Sequence, residues 1–103
     1  MTEAELQRLV AELCGRLGLA HYHTFDSRRS EPGFPDSVIV GNRILFRELK
    51  TADGKLSPEQ RHWGNRIEQA GGDFAVWRPA DWDGGTVINQ LLAIRAVTRS
   101  VPA

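Results

Sequence analysis

The sequence predicts one α/β domain, a mixed β-sheet flanked by helices, in the order α-β-β-β-α-β-α. Three observations carry that expectation. An N-terminal amphipathic stripe marks a helix, two β-rich runs around Gly41-Asn42 mark a hairpin, and a sharply capped helix at Ser57 leads into a further apolar strand.

Thr2 followed by Glu5 has the form of a capping box. Leu6, Leu9, Val10, Leu13 and Leu17 then recur at helical spacing, and Gly18 is a natural stop. Residues 20–25 are short, aromatic-rich and strand-like, and residues 26–35 form a loop rich in Ser, Arg, Pro and Gly. Residues 37–40 and 43–50 are the two arms of the hairpin. After a turn over 51–56, Ser57 caps a helix over 58–70, with Pro58 at its first position and Gln60 at its third. Gly71-Gly72 ends it, and 73–77 is a strand. Residues 78–85 are expected as loop, 86–96 as the last helix and 97–103 as a frayed tail.

At 103 residues the chain has the size of a single domain, 1–103, able to bury one core without staples. Its apolar runs are too short for a membrane span, and no basic, apolar leader opens it. The lone Cys14 allows no internal disulfide and falls on the apolar stripe, so an intracellular (cytoplasmic) protein with a core cysteine is expected. The net charge is zero, but 11 of the 13 basic residues are Arg, the side chain that forks onto phosphate. Between Gly41 and Arg66 six basic residues (Arg43, Arg47, Lys50, Lys55, Arg61, Arg66) face three acidic ones, which points to a local basic surface; a solvated mixed-charge surface is the plainer alternative.

The hairpin register decides where the ionisable groups go. A two-residue loop would pair Asp36 with Arg47 and put Glu48 on the opposite face. A three-residue loop, 41–43, pairs Val40 with Ile44, Val38 with Phe46 and Asp36 with Glu48. Only this second register gathers Val38, Val40, Ile44 and Phe46 on one face, where burial would fix it. It also sets Asp36 across from Glu48, with Lys50 further along the same face. Two carboxylates this close repel unless a proton or a cation compensates them, and Mg2+ or Mn2+ is the natural resident. Such an ion polarises a phosphoryl oxygen and acidifies water, while a neighbouring lysine neutralises charge building on phosphate. The competing reading is a surface ion pair of Glu48 with Lys50 beside an Asp36 that merely starts a strand.

Gln60 shares a helical face with Trp63, Gly64 and Ile67, so it points inward and needs a partner, which the site would supply; completing the cap of Ser57 is its other reading. On the first helix Glu3 lies nearer the apolar stripe than Glu5, which makes Glu3 the better third acidic group and Glu5 the cap; Gln7, one turn beyond Glu3, is placed to assist. Ser27, Arg28, Arg29 and Ser30 precede Asp36 and suit phosphate contacts, as does Lys55 in the basic stretch, with a surface loop as the alternative. Gly33 in the same loop lets a backbone approach closely. His21 and His23 share one side of a strand without a third ligand at zinc spacing, and are expected as surface or substrate-facing residues. Trp63, Trp77 and Trp82 are expected in core or interface.

Gly33-Phe34-Pro35-Asp36, Phe46-Arg47-Glu48-Leu49-Lys50, Gly54-Lys55-Leu56-Ser57-Pro58-Glu59-Gln60 and Ala70-Gly71-Gly72 before Ala75-Val76-Trp77 together resemble the VRR-NUC (virus-type replication-repair nuclease) family of the PD-(D/E)XK superfamily. The resemblance implies a restriction-endonuclease-like fold and Mg2+- or Mn2+-dependent cleavage of DNA. It implies metal ligation by Asp36, Glu48 and the carbonyl of Leu49, catalytic roles for Lys50 and Gln60, and a first-helix acid matched best by Glu3. It further implies a phage or bacterial type of protein, acting as a homodimer on branched or flapped DNA such as Holliday junctions. A subunit that keeps this fold to bind or assemble on DNA without turnover is the rival reading; it has no need for two facing carboxylates.

Overall fold

A computed structural model describes residues 1–24 and 31–95 of the chain. Eight elements follow one another: α1 (Glu3–Arg16), β1 (Ala20–His23), β2 (Ser37–Val40), β3 (Ile44–Leu49), α2 (Pro58–Gln69), β4 (Asp73–Trp77), α3 (Pro79–Asp83) and α4 (Thr86–Ile94). The expected order holds with one addition. Residues 78–85, expected as loop, contain α3, because the Asp81 carboxylate accepts the Arg78 N–H at 2.7 Å and Pro79 sits in a first turn that needs no donor. The end of the expected first strand beyond Thr24, and the tail 97–103, lie outside the described residues. No helix among the described residues is long and apolar enough to cross a membrane.

The strands lie in the order β1-β2-β3-β4, antiparallel except for the parallel pair β3–β4, whose crossover is α2. The sheet is therefore mixed. On one face α1 and α4 pack over Ile39, Leu45, Leu49 and Trp77, closing a core with Leu6, Val10, Cys14, Val87, Leu91 and Ile94. Burial pushes the Cys14 thiol up to about 11, as a core cysteine requires. On the other face α2 packs against β4 so closely that a Cβ on Gly64 would stand 2.6 Å from the Phe74 ring.

The hairpin has the three-residue register, with Val40 opposite Ile44, Val38 opposite Phe46 and Ser37 opposite Arg47. Burial, expected on the face of Val38, Val40, Ile44 and Phe46, is deepest on the opposite one. Val40 and Ile44 are 42% and 47% exposed, while Ile39 and Leu45, on the opposite face, are fully buried. Two helices cover that opposite face, and α2 reaches only the β3–β4 side of its own. Arg47 also leaves the expected basic surface, for it is only 2% exposed. Its guanidinium donates to Gln90 Oε1 and to the carbonyls of Phe46 and Asp73, pairs with Asp73 at 2.9 Å and lies 5.2 Å above the centre of the Trp77 ring.

Candidate active site

The site forms where β2 begins and β3 ends. One step beyond Ser37 and Arg47 the antiparallel register sets Asp36 against Glu48 and Pro35 against Leu49. Proline has no N–H, so the ladder offers the Leu49 carbonyl no donor from Pro35, while the Leu49 N–H goes instead to Asp36 Oδ2 at 2.8 Å. The main chain of Asp36 is held from β1: its carbonyl accepts from Thr24 N–H at 2.9 Å and from His23 Nδ1 at 3.0 Å. A carbonyl only accepts, so that nitrogen carries the His23 proton, and Gln7 of α1 meets the other ring nitrogen. The Thr24 hydroxyl donates to the Pro35 carbonyl at 3.1 Å.

Glu48 points to the α2 face and is 2% exposed. Gln60 Nε2 donates to Glu48 Oε1 at 2.8 Å, and Lys50 Nζ lies 3.9 Å from the same oxygen. The two readings of Gln60 are satisfied together: its Oε1 accepts the Ser57 N–H at 2.8 Å and its own N–H goes to Ser57 Oγ at 3.1 Å, while its side-chain amide serves Glu48. Gln60 is brought within reach by the loop before Asp36. Gly33, at φ +86°, lies so near the first turn of α2 that a Cβ there would be 2.4 Å from the Glu59 carbonyl carbon. Phe34 then wedges edge-on between Trp63 and Phe46.

The electrostatics follow from this packing. Burial raises the Glu48 carboxyl most, the Asp36 charge and a hydrogen bond with Asp36 raise it further, and Lys50 only partly opposes them, so it stands at about 9. An acid held that far from its ordinary range marks a place built for a proton or a positive ion. The donors are hard oxygens, two carboxylates and a backbone carbonyl, which fit Mg2+ or Mn2+ and do not fit a soft metal.

Asp36, Glu48, Leu49, Lys50 and Gln60 are thus brought together. Glu3 is exposed in the first turn of α1, and among the described residues no three His, Cys, Asp or Glu side chains gather as a metal cluster. Glu5 takes the capping position, its N–H bonded to Thr2 Oγ1 at 3.1 Å. Ser27, Arg28, Arg29 and Ser30 lie outside the described residues, and Lys55 is exposed on the turn before α2. His21 bonds to Ser37 on the α1 side of the sheet, and burial followed by the neighbouring His23 lowers its pKa. Trp77 is a core residue, Trp82 packs against the core and Trp63 is half-buried. His23, expected at the surface or facing substrate, instead holds the Asp36 carbonyl. Thr24 and Arg78 carry no signal in the sequence, because their side chains bond to backbone carbonyls, of Pro35 and of Thr51 and Gly54, that no residue pattern identifies.

No protein-family model and no curated protein matches the sequence. Solved structures do. A "VRR_NUC domain protein" superposes with a TM-score of 0.70 at 20% identity, over 100% of this chain and 98% of its own. A second structure, named "VRR_NUC domain", superposes with a TM-score of 0.65 at 25% identity, over 84% of this chain and 96% of its own. Archaeoglobus fulgidus Hjc, a Holliday junction resolvase, reaches a TM-score of 0.46 at 22% identity over 70% of this chain and 67% of its own, and carries no argument at that distance. The resemblance that the motifs carry is therefore matched in three dimensions: the chain has the fold of these VRR_NUC domain structures, a restriction-endonuclease-like mixed sheet flanked by helices.

Proposed function

We propose that this chain is a divalent-metal-dependent endonuclease that hydrolyses phosphodiester bonds in DNA, with branched, flapped or four-way-junction DNA as its preferred substrate. The observation that carries the reading is Glu48, a carboxyl buried against a second carboxyl and flanked by a lysine and a glutamine amide. A pure binding subunit gains nothing from that arrangement, which costs stability whenever both acids ionise.

Asp36, Glu48 and the Leu49 carbonyl are the groups that would hold Mg2+ or Mn2+. When bound, the ion supplies Lewis-acid polarisation of the phosphoryl oxygen and a nucleophilic water at neutral pH. The remaining work belongs to the chain. The Leu49 N–H fixes one oxygen of Asp36, and the Gln60 amide fixes Oε1 of Glu48, so both carboxylates are oriented before substrate arrives. The Lys50 ammonium, 3.9 Å from Glu48, brings positive charge to the oxygen-rich end of the site, where negative charge builds as the phosphorus adds a fifth oxygen. Exposed Lys55, with Ser27, Arg28 and Arg29 in the segment before Asp36, would hold flanking phosphates. Glu3 remains the acid of α1 assigned a supporting role at the site. One such site cuts one strand, so a homodimer presents the two cuts that a branched substrate needs.

Incubation with end-labelled linear duplex, flap and four-way-junction DNA, each with Mg2+, Mn2+ or EDTA, tests the reading. Metal-dependent cutting, strongest on a branched substrate, is expected. Folded protein that binds DNA and cuts none of the three would shift the function to the non-catalytic subunit.

A further inference from the structure

Resting on the nuclease reading, we propose that Arg78 is a positioning residue of the site, the clamp that sets Lys50 and Gln60 against Glu48. Strands β3 and β4 run parallel and end together: Leu49 stands beside Trp77, and the Lys50 N–H donates to the Trp77 carbonyl at 3.0 Å. Arg78 therefore leaves β4 where Lys50 leaves β3, at the carboxyl ends of adjacent parallel strands, where α/β sheets place their ligands.

From there a single guanidinium nitrogen, Nη1, donates to two carbonyls of the connecting turn, Thr51 at 2.7 Å and Gly54 at 2.6 Å. Donors that carry charge make the stronger hydrogen bonds, and one nitrogen shared by two carbonyls fixes their separation. Among the described residues this guanidinium pairs with no carboxylate. Its contacts go to the turn. The base of the side chain is anchored separately, through the Arg78 N–H on Asp81.

The turn matters because of what hangs from its two ends. Lys50 precedes it, and Ser57 follows it as the cap of α2, from which Gln60 reaches Glu48. Both side chains that approach Glu48 Oε1 are thus carried by the segment that Arg78 ties down. The turn is also folded onto the lysine stem: a Cβ on Gly54 would lie 2.8 Å from Thr51 Oγ1 and 3.6 Å from Lys50 Cδ.

The test compares wild type, Arg78→Ala, Arg78→Lys and Lys50→Ala in single-turnover cleavage with Mn2+, with DNA affinity measured in parallel. Misplacing catalytic groups by about an ångström costs on the order of a hundredfold in rate, so Arg78→Ala should cleave 10- to 100-fold more slowly at unchanged DNA affinity. Arg78→Lys should recover part of the rate. Guanidinium ion, at concentrations far below those that unfold proteins and with ionic strength matched by NaCl, should partly rescue Arg78→Ala and leave Lys50→Ala dead. Amide exchange provides a readout independent of turnover. The Ser57 N–H, bonded to Gln60, should exchange at least about tenfold faster in Arg78→Ala while α1 and α4 amides keep their protection. An active wild type beside an equally active Arg78→Ala overturns the proposal, as does slowing without rescue that tracks global unfolding. If wild type cuts nothing, the nuclease reading fails by itself, and unchanged Ser57 exchange in Arg78→Ala then overturns the clamp separately.

Discussion

Glu48 sits almost wholly out of water beside a second carboxyl, and its titration follows from that placement. Its carboxyl is raised from 4.5 to about 9 in the folded chain, first by burial and then by Asp36. Between those values the folded protein keeps a proton that the unfolded chain has lost, so stability is full below pH 4.5 and falls as pH rises toward 9. The metal-free protein should therefore melt at progressively lower temperature from pH 5 to pH 9. Glu48→Gln, which keeps the hydrogen-bonding shape without the acid, should flatten that slope. Added Mg2+ or Mn2+ should raise the wild-type melting temperature more at pH 8 than at pH 6, because the ion displaces the proton; thermal melts across pH check all three. Arg47 is the other buried charge. Removing one partner of such a network costs about 3–5 kcal/mol, and Arg47→Ala should lower unfolding free energy in urea by that order while Asp73 and Gln90 lose their donor. Asp36, Glu48 and Lys50 were legible in the sequence because alternation and hairpin register place them by arithmetic. Arg47 was not, since alternation put it on the face of Leu45 and Leu49 but its charge argued for solvent. Only the partners Asp73, Gln90 and Trp77, distant in sequence, make its burial tolerable.

At the level of elements, the contact of α2 with the sheet is what carries Gln60 to Glu48. Gly64 sits in the middle of that helix, where alanine would ordinarily help by about 1 kcal/mol. Here a Cβ would meet the Phe74 ring at 2.6 Å, so Gly64→Ala should instead destabilise by about 1–3 kcal/mol and slow cleavage by levering Gln60 away. Chemical denaturation and single-turnover rates on the same variant check this. Most elements could be read from local signals: the Thr2 and Ser57 caps, the Pro58 start, the glycine stop before β4 and the alternation of β2 and β3 are features of a few adjacent residues. The short helix α3 escaped because Pro79 and Gly84-Gly85 argue equally for a loop, and the Asp81 cap that turns Arg78 inward is visible only in three dimensions. The hairpin register was right although the burial assigned to its face was not. Which side of a sheet is more deeply covered depends on how many helices settle there, which no strand pattern records.

Over the whole molecule, the two faces of the sheet divide the labour. The α1–α4 face holds the core that makes the domain stable, and the α2 face holds the carboxylates at the carboxyl end of β3. A DNA-cutting protein with this layout should bind its substrate chiefly through phosphates, so affinity should fall steeply as salt rises, whatever the DNA sequence. Fluorescence anisotropy with Lys50→Ala, at several salt concentrations and with two unrelated sequences of the same branched shape, checks that. The shape of the substrate leaves no local signal in the sequence, because under the proposed homodimer selectivity among branched forms would depend on the spacing of two sites and not on the chemistry of one. The central claim is that Asp36, Glu48, Lys50 and Gln60 form one metal-dependent hydrolytic site. Its most direct test is the single-turnover cleavage of branched DNA by Lys50→Ala beside wild type, with Mn2+ binding followed by calorimetry on the same samples. Cleavage lost by at least about a hundredfold with Mn2+ binding retained is the predicted result. Lys50→Ala cutting as fast as wild type would contradict the account.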